Sequence, residues 1–250
     1  MSNFAVVIPA RYASERLPGK PLRKIAGKDL LQHVFERATE SEANQVVIAT
    51  DDDRIEQAAK KFGADVCMTD PGHRSGTERL AEVVRLRRWA ADLVVVNLQG
   101  DEPMMPPALI NQCATLLRSP GAVMATLASP IASAEDFEDP NVVKVIVDGN
   151  DDAIYFSRAA IPYARSSSMK DIAIKTALHH HGIYAYRVAT LQWIVAAAPS
   201  QLEQVEQLEQ LRALEMGIRI RVGRPGMRPG PGVDTEADLM RVERLMSAGA

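Results

Sequence analysis

The sequence has few cysteines and no long apolar run. Its two cysteines, Cys67 and Cys113, lie far apart without C-x-x-C spacing, which argues against a disulfide scaffold or a zinc site and favours buried, reduced thiols. No apolar stretch approaches the roughly 20 residues that a membrane helix needs, and no charged leader with a cleavage site precedes the first apolar run. We therefore expect a cytoplasmic protein with no membrane partner.

Two common nucleotide-binding motifs are also missing near the amino terminus. Lys20 is followed by Pro21, and no Ser or Thr follows it to hold magnesium, so the segment is not a Walker A loop. No G-x-G-x-x-G lies near Pro9, so a dinucleotide-binding turn lacks its glycines. The net charge of −3 gives no support for a nucleic-acid partner, which usually shows a basic face.

The remaining composition is that of an ordinary globular protein of 250 residues, with 46% hydrophobic and 24% charged residues. Through the first half, apolar runs alternate with helical patterns, which is typical of βαβ units. Strands are predicted at 4–9, 45–50, 64–68, 92–98 and 122–127, and helices at 29–40, 53–62, 77–90 and 106–117. The predicted fold class is α/β, with a mostly parallel central sheet and helices on both faces.

The pattern changes beyond Pro130. Shorter strands are predicted at 142–147, 154–157 and 182–187, and the serine-rich segment 165–170 is predicted to be a mobile loop. Ser200 is expected to cap one long helix to Met216, with Leu202, Val205, Leu208 and Leu211 inward, followed by a strand at 218–222 and a closing helix. We expect a single domain over 1–250, in which about 130–200 forms a small lobe.

Residues 10–22, ARYASERLPGKPL, follow the first predicted strand and form a basic loop. Arg11, Arg16 and Lys20, together with Arg23 directly after the loop, supply cationic groups, and Gly19 lets the backbone approach a ligand closely. The competing interpretation is a solvated basic loop. Because ligand crevices of open α/β sheets lie outside the carboxyl ends of strands, we interpret this basic loop as a phosphate site.

Two acidic residues are candidate magnesium ligands. Asp101 follows the predicted strand 92–98, and Asp234 follows a run rich in glycine and proline. If this stiff run returns Asp234 to the same cleft, the two carboxylates could share one divalent ion, since Mg²⁺ prefers oxygen ligands. The alternative for each residue is a simple helix cap.

Other polar clusters have structural interpretations beside functional ones. Residues 51–53 resemble a D-x-D metal motif, but a strand-end turn and helix start is favoured. Ser75 and Thr77 could contact a base or ribose, or could cap a helix.

Residues 179–181 are three consecutive histidines, and the alternation of side chains along a strand argues against a shared metal ion. The same alternation places one histidine beside Tyr184 and Tyr186 as a possible pocket wall, with core packing as the alternative. Glu206, Glu209 and Gln210 suggest a solvated helix face.

Seven blocks, in order, resemble the 3-deoxy-manno-octulosonate cytidylyltransferase (CMP-KDO synthetase) family: PARYASERLPGKPL, HRSGTERLAEV, NLQGDEPM, YFSRAAIP, HHHGIYAYR, LEQLR and PGVDT. The resemblance covers nearly the full length, and related sugar-nucleotide synthetases share only the first block. It implies a nucleotide-diphospho-sugar transferase-like (Rossmann-like) fold. It also implies a Mg²⁺-dependent, cytoplasmic homodimer that uses CTP and 3-deoxy-D-manno-octulosonate (KDO) for lipopolysaccharide biosynthesis.

The resemblance also implies roles for individual residues. The catalytic set would be Arg11, Lys20, Asp101 and Asp234, of which Asp101 and Asp234 would bind the metal. The CTP contacts would be Ala10, Arg11, Arg16, Lys20, Ser75 and Gln99. The KDO contacts would be Arg158, His180, Tyr184, Glu209 and Gln210. Two positions depart from the family pattern, because Glu15 stands where a hydroxyl residue is frequent and His181 where an apolar residue is common.

Three other functions stay open at this point. The chain could be a cytidylyltransferase for another sugar acid, such as a sialic acid or amino-substituted KDO. It could be a glycosyltransferase of similar fold that uses the acidic residues 51–53 and releases a nucleoside diphosphate. It could also bind a nucleotide without turnover, although two metal-binding carboxylates argue against this.

Overall fold

The computed structural model describes residues 3–14 and 16–248, so Glu15 lies outside the described residues. The strands are β1 (Phe4–Ala10), β2 (Lys24–Ile25), β3 (Lys28–Asp29), β4 (Gln45–Thr50), β5 (Asp65–Met68), β6 (Val94–Asn97), β7 (Met124–Pro130), β8 (Lys144–Val147), β9 (Ala153–Ser157), β10 (Leu178–Arg187) and β11 (Ile220–Gly223). The helices are α1 (Leu30–Thr39), α2 (Asp53–Lys61), α3 (Gly76–Leu86), α4 (Pro107–Thr115), α5 (Ala134–Glu138), α6 (Lys170–Thr176), α7 (Val188–Ala196), α8 (Gln201–Glu206), α9 (Gln210–Glu215) and α10 (Glu236–Ala248).

One mixed sheet organises the molecule. Within the described residues it contains nine strands, in the order β11-β7-β10-β6-β1-β4-β5, and β8 and β9 extend it beside β10. The neighbours β6, β1, β4 and β5 are parallel, as are β11 and β7. The long strand β10 is antiparallel to β6, β7 and β8. The prediction of a mostly parallel sheet is confirmed; β10 is an antiparallel insertion in it, and β8 and β9 form an antiparallel pair beside β10.

Helices cover both faces of the sheet, as predicted. Side chains alternate along a strand, so on β1 Val6 and Ile8 face one apolar cluster while Val7 faces the other. Buried residues of α1, α2, α4 and α10 pack in the first cluster, and those of α3, α7 and α9 pack in the second. Because helices cover both faces of the sheet, the ends of the parallel strands are the part of the sheet that stays open.

The predicted long helix over 200–216 is wrong. The chain forms α8 and α9 instead, because Gln207 takes a left-handed conformation with φ 53° between them. The reversal lets Arg212 donate to both carboxylate oxygens of buried Glu203, at 2.7 and 2.5 Å. Val205 is then 82% exposed and Leu202 39% exposed, whereas Leu208 and Leu211 are buried as predicted.

The region after Pro130 contains more regular structure than the sequence pattern indicated. The predicted strand 182–187 is the second half of β10, which begins at Leu178 and includes all three histidines. The segment 165–170 contains a 3₁₀ turn, Ser167–Met169, that leads into α6. Phe137, Ala173 and Ala177 form a small apolar cluster of their own in this part of the chain. Mobility of 165–170 stays a prediction.

Cys67 and Cys113 are buried free thiols. Among the described residues, none of the helices combines the length and apolar character that crossing a bilayer requires.

Candidate active site

A cleft of about 810 Å³ lies at the carboxyl ends of β1 and β6, where parallel strands of an open sheet present their loops. Its lining includes all eight of the predicted nucleotide and metal residues: Ala10, Arg11, Arg16, Lys20, Ser75, Gln99, Asp101 and Asp234. The volume falls within the range of small-molecule sites. The cleft therefore brings together groups that are scattered over most of the sequence.

The basic loop is shaped by Gly19 and by an aromatic contact. Gly19 has φ 66°, a conformation that most side chains avoid, and its amide donates to the Tyr12 carbonyl at 3.3 Å. A Cβ at Gly19 would lie 3.1 Å from the Tyr12 hydroxyl oxygen. The Arg54 guanidinium stacks 3.3 Å from the centre of the Tyr12 ring and holds it against the loop. This turn starts the 3₁₀ segment Lys20–Leu22 and points Lys20 into the cleft.

Asp101 and Asp234 converge on the Lys20 ammonium. Lys20 Nζ donates to Asp101 Oδ2 at 2.6 Å and to Asp234 Oδ1 at 3.1 Å. Arg16 pairs with the same Asp234 oxygen at 3.1 Å. The Val233 amide donates to the Asp101 carbonyl at 2.9 Å, so the glycine- and proline-rich run does return Asp234 to the loop after β6.

Neither aspartate is a helix cap, the alternative that the sequence left open. Pro106 occupies the N-cap position of α4, and Asp101 lies several residues before it. At the start of α10, the Asp238 carboxylate accepts from the amides of Asp234 and Thr235, at 3.2 and 2.9 Å. The Asp234 carboxylate therefore does not cap α10 and is available in the cleft.

Charge in this corner is closely balanced. Burial alone would lower the pKa of Lys20, but the carboxylates of Asp101 and Asp234 outweigh it and raise that pKa. Burial of the Glu102 carboxyl, with Asp101 and Asp234 beside it, raises the pKa of Glu102 to about 8. Glu102 is thus mainly protonated at neutral pH, and the negative charge of the corner lies on the two aspartates.

This donor set fits a divalent cation that also binds phosphate. Across the residues that the structure describes, no group of three or more His, Cys, Asp or Glu side chains is arranged to hold a metal ion. Mg²⁺ is commonly bound by one or two carboxylates together with substrate phosphates and water. Two carboxylate oxygens within 3.1 Å of one cationic nitrogen, beside a basic loop, meet that requirement.

Ser75 and Gln99 border the other side of the cleft. Ser75 is the N-cap of α3 and accepts the Glu78 amide at 3.2 Å, so the cap interpretation holds while the residue also lines the cleft. Gly100 brings the loop after β6 close to β1, because a Cβ there would lie 2.8 Å from the Pro9 carbonyl oxygen. The two strand ends therefore form one continuous wall.

The acidic run 51–53 has a structural role, as favoured. The Asp52 side chain caps α2 and accepts from the Arg54 amide at 2.9 Å. Asp51 pairs with Arg79 at 3.3 Å, and Arg79 is 4% exposed. Asp53 is exposed and lies outside the cleft lining.

The predicted sugar-acid residues are only partly in this cleft. Glu209 lines it, whereas Gln210 is 6% exposed and Tyr184 8% exposed. The Gln210 Nε2 and Tyr184 hydroxyl are buried without a hydrogen-bond partner among the described residues. Both atoms are enclosed, and an unsatisfied buried polar group is costly in a protein interior.

Arg158, the predicted carboxylate contact, lies at the end of β9 outside the cleft lining. Its Nε donates to the Glu206 carbonyl at 2.8 Å and its Nη1 to the Pro140 carbonyl at 3.0 Å. Glu206 also accepts from the Ser157 hydroxyl at 2.6 Å, so the predicted solvated face is wrong for Glu206 and for buried Gln210.

The three histidines alternate as predicted. The rings of His179 and His181 lie 5.1 Å apart, while His180 contacts Phe156 and Tyr184. Tyr184 in turn stacks on Tyr186 with ring centres 5.9 Å apart. His181, at a position where the family is usually apolar, is 7% exposed and bonds the Ser129 hydroxyl at 2.8 Å.

Sequence reasoning missed several residues at the cleft. His73, Arg74 and Arg79 line it beside Ser75. Their spacing before and within α3 could have indicated this, because the first turn of a helix at a strand end faces the same crevice. No sequence signal marked the burial of Glu102. Arg23, by contrast, does not line the cleft as the sequence predicts, because it pairs with Glu236 at 2.6 Å.

Comparison with known proteins identifies the relatives. A family model described as cytidylyltransferase matches residues 5–220. A 3-deoxy-manno-octulosonate cytidylyltransferase of Cellvibrio japonicus is 52% identical over 99% of both chains, and one of Yersinia enterocolitica is 51% identical over 98% of both. The chain belongs to the 3-deoxy-manno-octulosonate cytidylyltransferase family. The resemblance stated from the sequence motifs is thereby confirmed.

Solved structures agree with the family assignment. A CMP:2-keto-3-deoxy-manno-octonic acid synthetase complexed with CTP has a TM-score of 0.91, 45% identity and full coverage of both chains. A 4-diphosphocytidyl-2C-methyl-D-erythritol synthase from Anaerococcus prevotii has a TM-score of 0.63 at 12% identity, covers 98% of this chain and 97% of its own, and is similar in fold alone. The fold is that of the nucleotide-diphospho-sugar transferases, as expected.

The close approach at Gly100 yields a stability prediction. Gly100→Ala places a Cβ 2.8 Å from the Pro9 carbonyl oxygen, so one strand end must move. We expect a loss of about 1–3 kcal/mol in the free energy of unfolding, measured by chemical denaturation. The matched control is Gly149→Ala, since a Cβ at Gly149 meets nothing within 4 Å; it should change that free energy by less than about 0.5 kcal/mol. Equal losses in both variants would contradict the account.

Proposed function

We propose that the protein transfers CMP from CTP to the anomeric 2-hydroxyl of KDO and releases pyrophosphate, giving CMP-KDO. The observation that carries this proposal is the convergence of Asp101 and Asp234 on Lys20 of the basic loop. Phosphoryl transfer needs in-line positioning and charge stabilisation more than covalent chemistry, and this cleft supplies both kinds of group. Family membership supports the choice of substrates.

The basic loop binds the triphosphate. Arg11 lines the cleft and has no ion pair or hydrogen bond with a described residue, so its guanidinium is available to phosphate oxygens. Among the residues that the structure describes, Arg16 and Lys20 form ion pairs only with the two aspartates. When charge accumulates on the departing pyrophosphate, these three cations stabilise it.

Asp101 and Asp234 would hold a magnesium ion. Bound there, Mg²⁺ would act as a Lewis acid, lowering the pKa of the attacking hydroxyl and offsetting phosphate charge. The two carboxylates now share the Lys20 ammonium, so Lys20 is free to turn to phosphate once they bind another cation.

The sugar acid would bind beyond Glu209. The buried Tyr184 hydroxyl and Gln210 amide nitrogen can donate to its oxygens, and His180 lies against Tyr184. Arg158 Nη2 has no partner among the described residues and can donate to the KDO carboxylate. A site built from buried polar groups rejects analogues that lack the matching hydroxyls.

We further propose that the protein acts in the cytoplasm as a homodimer and that its product enters lipopolysaccharide biosynthesis. In this proposal, the region of about 130–200 contributes to the sugar site and to the dimer interface. Tyr163, 88% exposed, and Ile172, 53% exposed, support the second role, since large exposed apolar side chains favour an interface. Sedimentation of the purified chain measures the oligomeric state.

The substrate assignment is tested by a pyrophosphate-release assay. With CTP and Mg²⁺, we expect release with KDO as acceptor that exceeds release with a sialic acid or amino-substituted KDO, because a site that hydrogen-bonds its ligand discriminates against analogues without the matching groups. UTP in place of CTP is the nucleotide control. If pyrophosphate were released with a sialic acid but not with KDO, the acceptor would be a sialic acid and the assignment of KDO would be wrong. Release of a nucleoside diphosphate from a sugar nucleotide would favour the glycosyltransferase alternative.

The shared carboxylate site is tested by Asp101→Asn and Asp234→Asn. Each change keeps the side-chain size but removes the charge needed for Mg²⁺, so kcat at saturating magnesium should fall by at least about a hundredfold. The control is Asp53→Asn, an exposed aspartate of the glycosyltransferase-like run, which should leave kcat unchanged. More than a tenth of wild-type kcat in either of the first two variants would argue against the shared site.

A further inference from the structure

Strand β10 has an irregularity next to the proposed sugar site. Its register with β7 shifts between His181 and Tyr184, so Gly182 and Ile183 have no partner residue across the pair. In such a bulge, backbone carbonyls lose their ladder donors and require others. Thr126 of β7, which is fully buried, supplies one.

Thr126 Oγ1 lies within hydrogen-bond distance of three atoms. The carbonyl oxygen of Ile183 is 2.7 Å away, the carbonyl oxygen of His181 is 3.2 Å away, and His180 Nε2 is 3.0 Å away. A hydroxyl has one hydrogen to donate, and carbonyl oxygens can only accept. The hydrogen must therefore point to the carbonyls, because two oxygens at 2.7 Å without a hydrogen between them repel.

The hydroxyl can then only accept from His180. That requires a hydrogen on Nε2, and it leaves Nδ1 with a lone pair if the ring is neutral. Burial, with His181 and His179 nearby, lowers the pKa of His180 to about 3, so the ring is neutral at pH 7. Nδ1 has no hydrogen-bond partner among the described residues.

We propose that Thr126 is a positioning residue that fixes His180 in its Nε2–H tautomer, so that Nδ1 accepts a hydrogen bond from a hydroxyl of the sugar acid. The proposal rests on the proposed function for the identity of that ligand. A neutral acceptor at this point selects a hydroxyl and repels a carboxylate. It therefore places the carboxylate elsewhere, which agrees with the assignment of Arg158.

The tautomer is measured directly by NMR of the full-length protein labelled with ¹⁵N-histidine, with His180→Gln to assign the His180 signals. In the wild type at pH 7 we expect a protonated Nε2 and an unprotonated Nδ1. A protonated Nδ1 would overturn the proposal whatever the variants show. This readout needs no substrate, so it stands even if the chain does not act on KDO.

Activity then tests the consequence. Thr126→Val keeps the shape but removes the hydroxyl, and Thr126→Ser keeps the hydroxyl as the matched control. We expect Thr126→Val to mix the tautomers and to raise KM for KDO about five- to tenfold, with KM for CTP unchanged, and Thr126→Ser to resemble the wild type.

A double-mutant cycle separates positioning from a general structural effect. In a His180→Gln background, Thr126→Val should cause no further rise in KM for KDO, because the two residues act through one contact. An equal rise in both backgrounds, or a rise in KM for CTP, would contradict the proposal. If the wild type releases no pyrophosphate with KDO, the proposed function fails while the tautomer result remains valid.

Discussion

The rest of the site depends on one electrostatic contact, the Lys20 ammonium between the carboxylates of Asp101 and Asp234. Without a cation, two carboxylates at this spacing would repel in a partly buried corner. The contact joins the loop after β1, the loop after β6 and the segment before α10, so three distant parts of the chain meet at one point. It also marks the position at which a divalent ion would replace the ammonium between the two carboxylates. The ammonium would then turn to the triphosphate.

The fold holds this contact in place through the sheet. β1 and β6 are parallel neighbours, so their carboxyl ends deliver the basic loop and Asp101 to the same edge. The third partner is attached by the bond between the Val233 amide and the Asp101 carbonyl. On the sugar side, the reversal at Gln207 is secured by the Glu203–Arg212 ion pair, and it sets Glu209 in the cleft with Gln210 buried behind it.

Much of this could be predicted from the sequence where local pattern decides structure. The alternation of apolar runs and helical stripes predicted the parallel strands, and the glycine- and proline-rich run before Asp234 indicated a stiff return. The long helix over 200–216 could not be corrected from pattern, because the left-handed residue Gln207 is stabilised by a tertiary ion pair rather than by local propensity. Likewise, the roles of Glu102, Arg79 and Thr126 depend on burial and on a β-bulge, which no spacing in the sequence reveals.

The most direct test of the central claim is a crystal structure with CTP and Mn²⁺ in place of Mg²⁺, in which anomalous scattering locates the metal. The account predicts a metal peak within coordination distance of carboxylate oxygens from both Asp101 and Asp234, with Lys20 moved to the phosphates. A metal bound to CTP phosphates alone, with Lys20 still between the two aspartates, would contradict it.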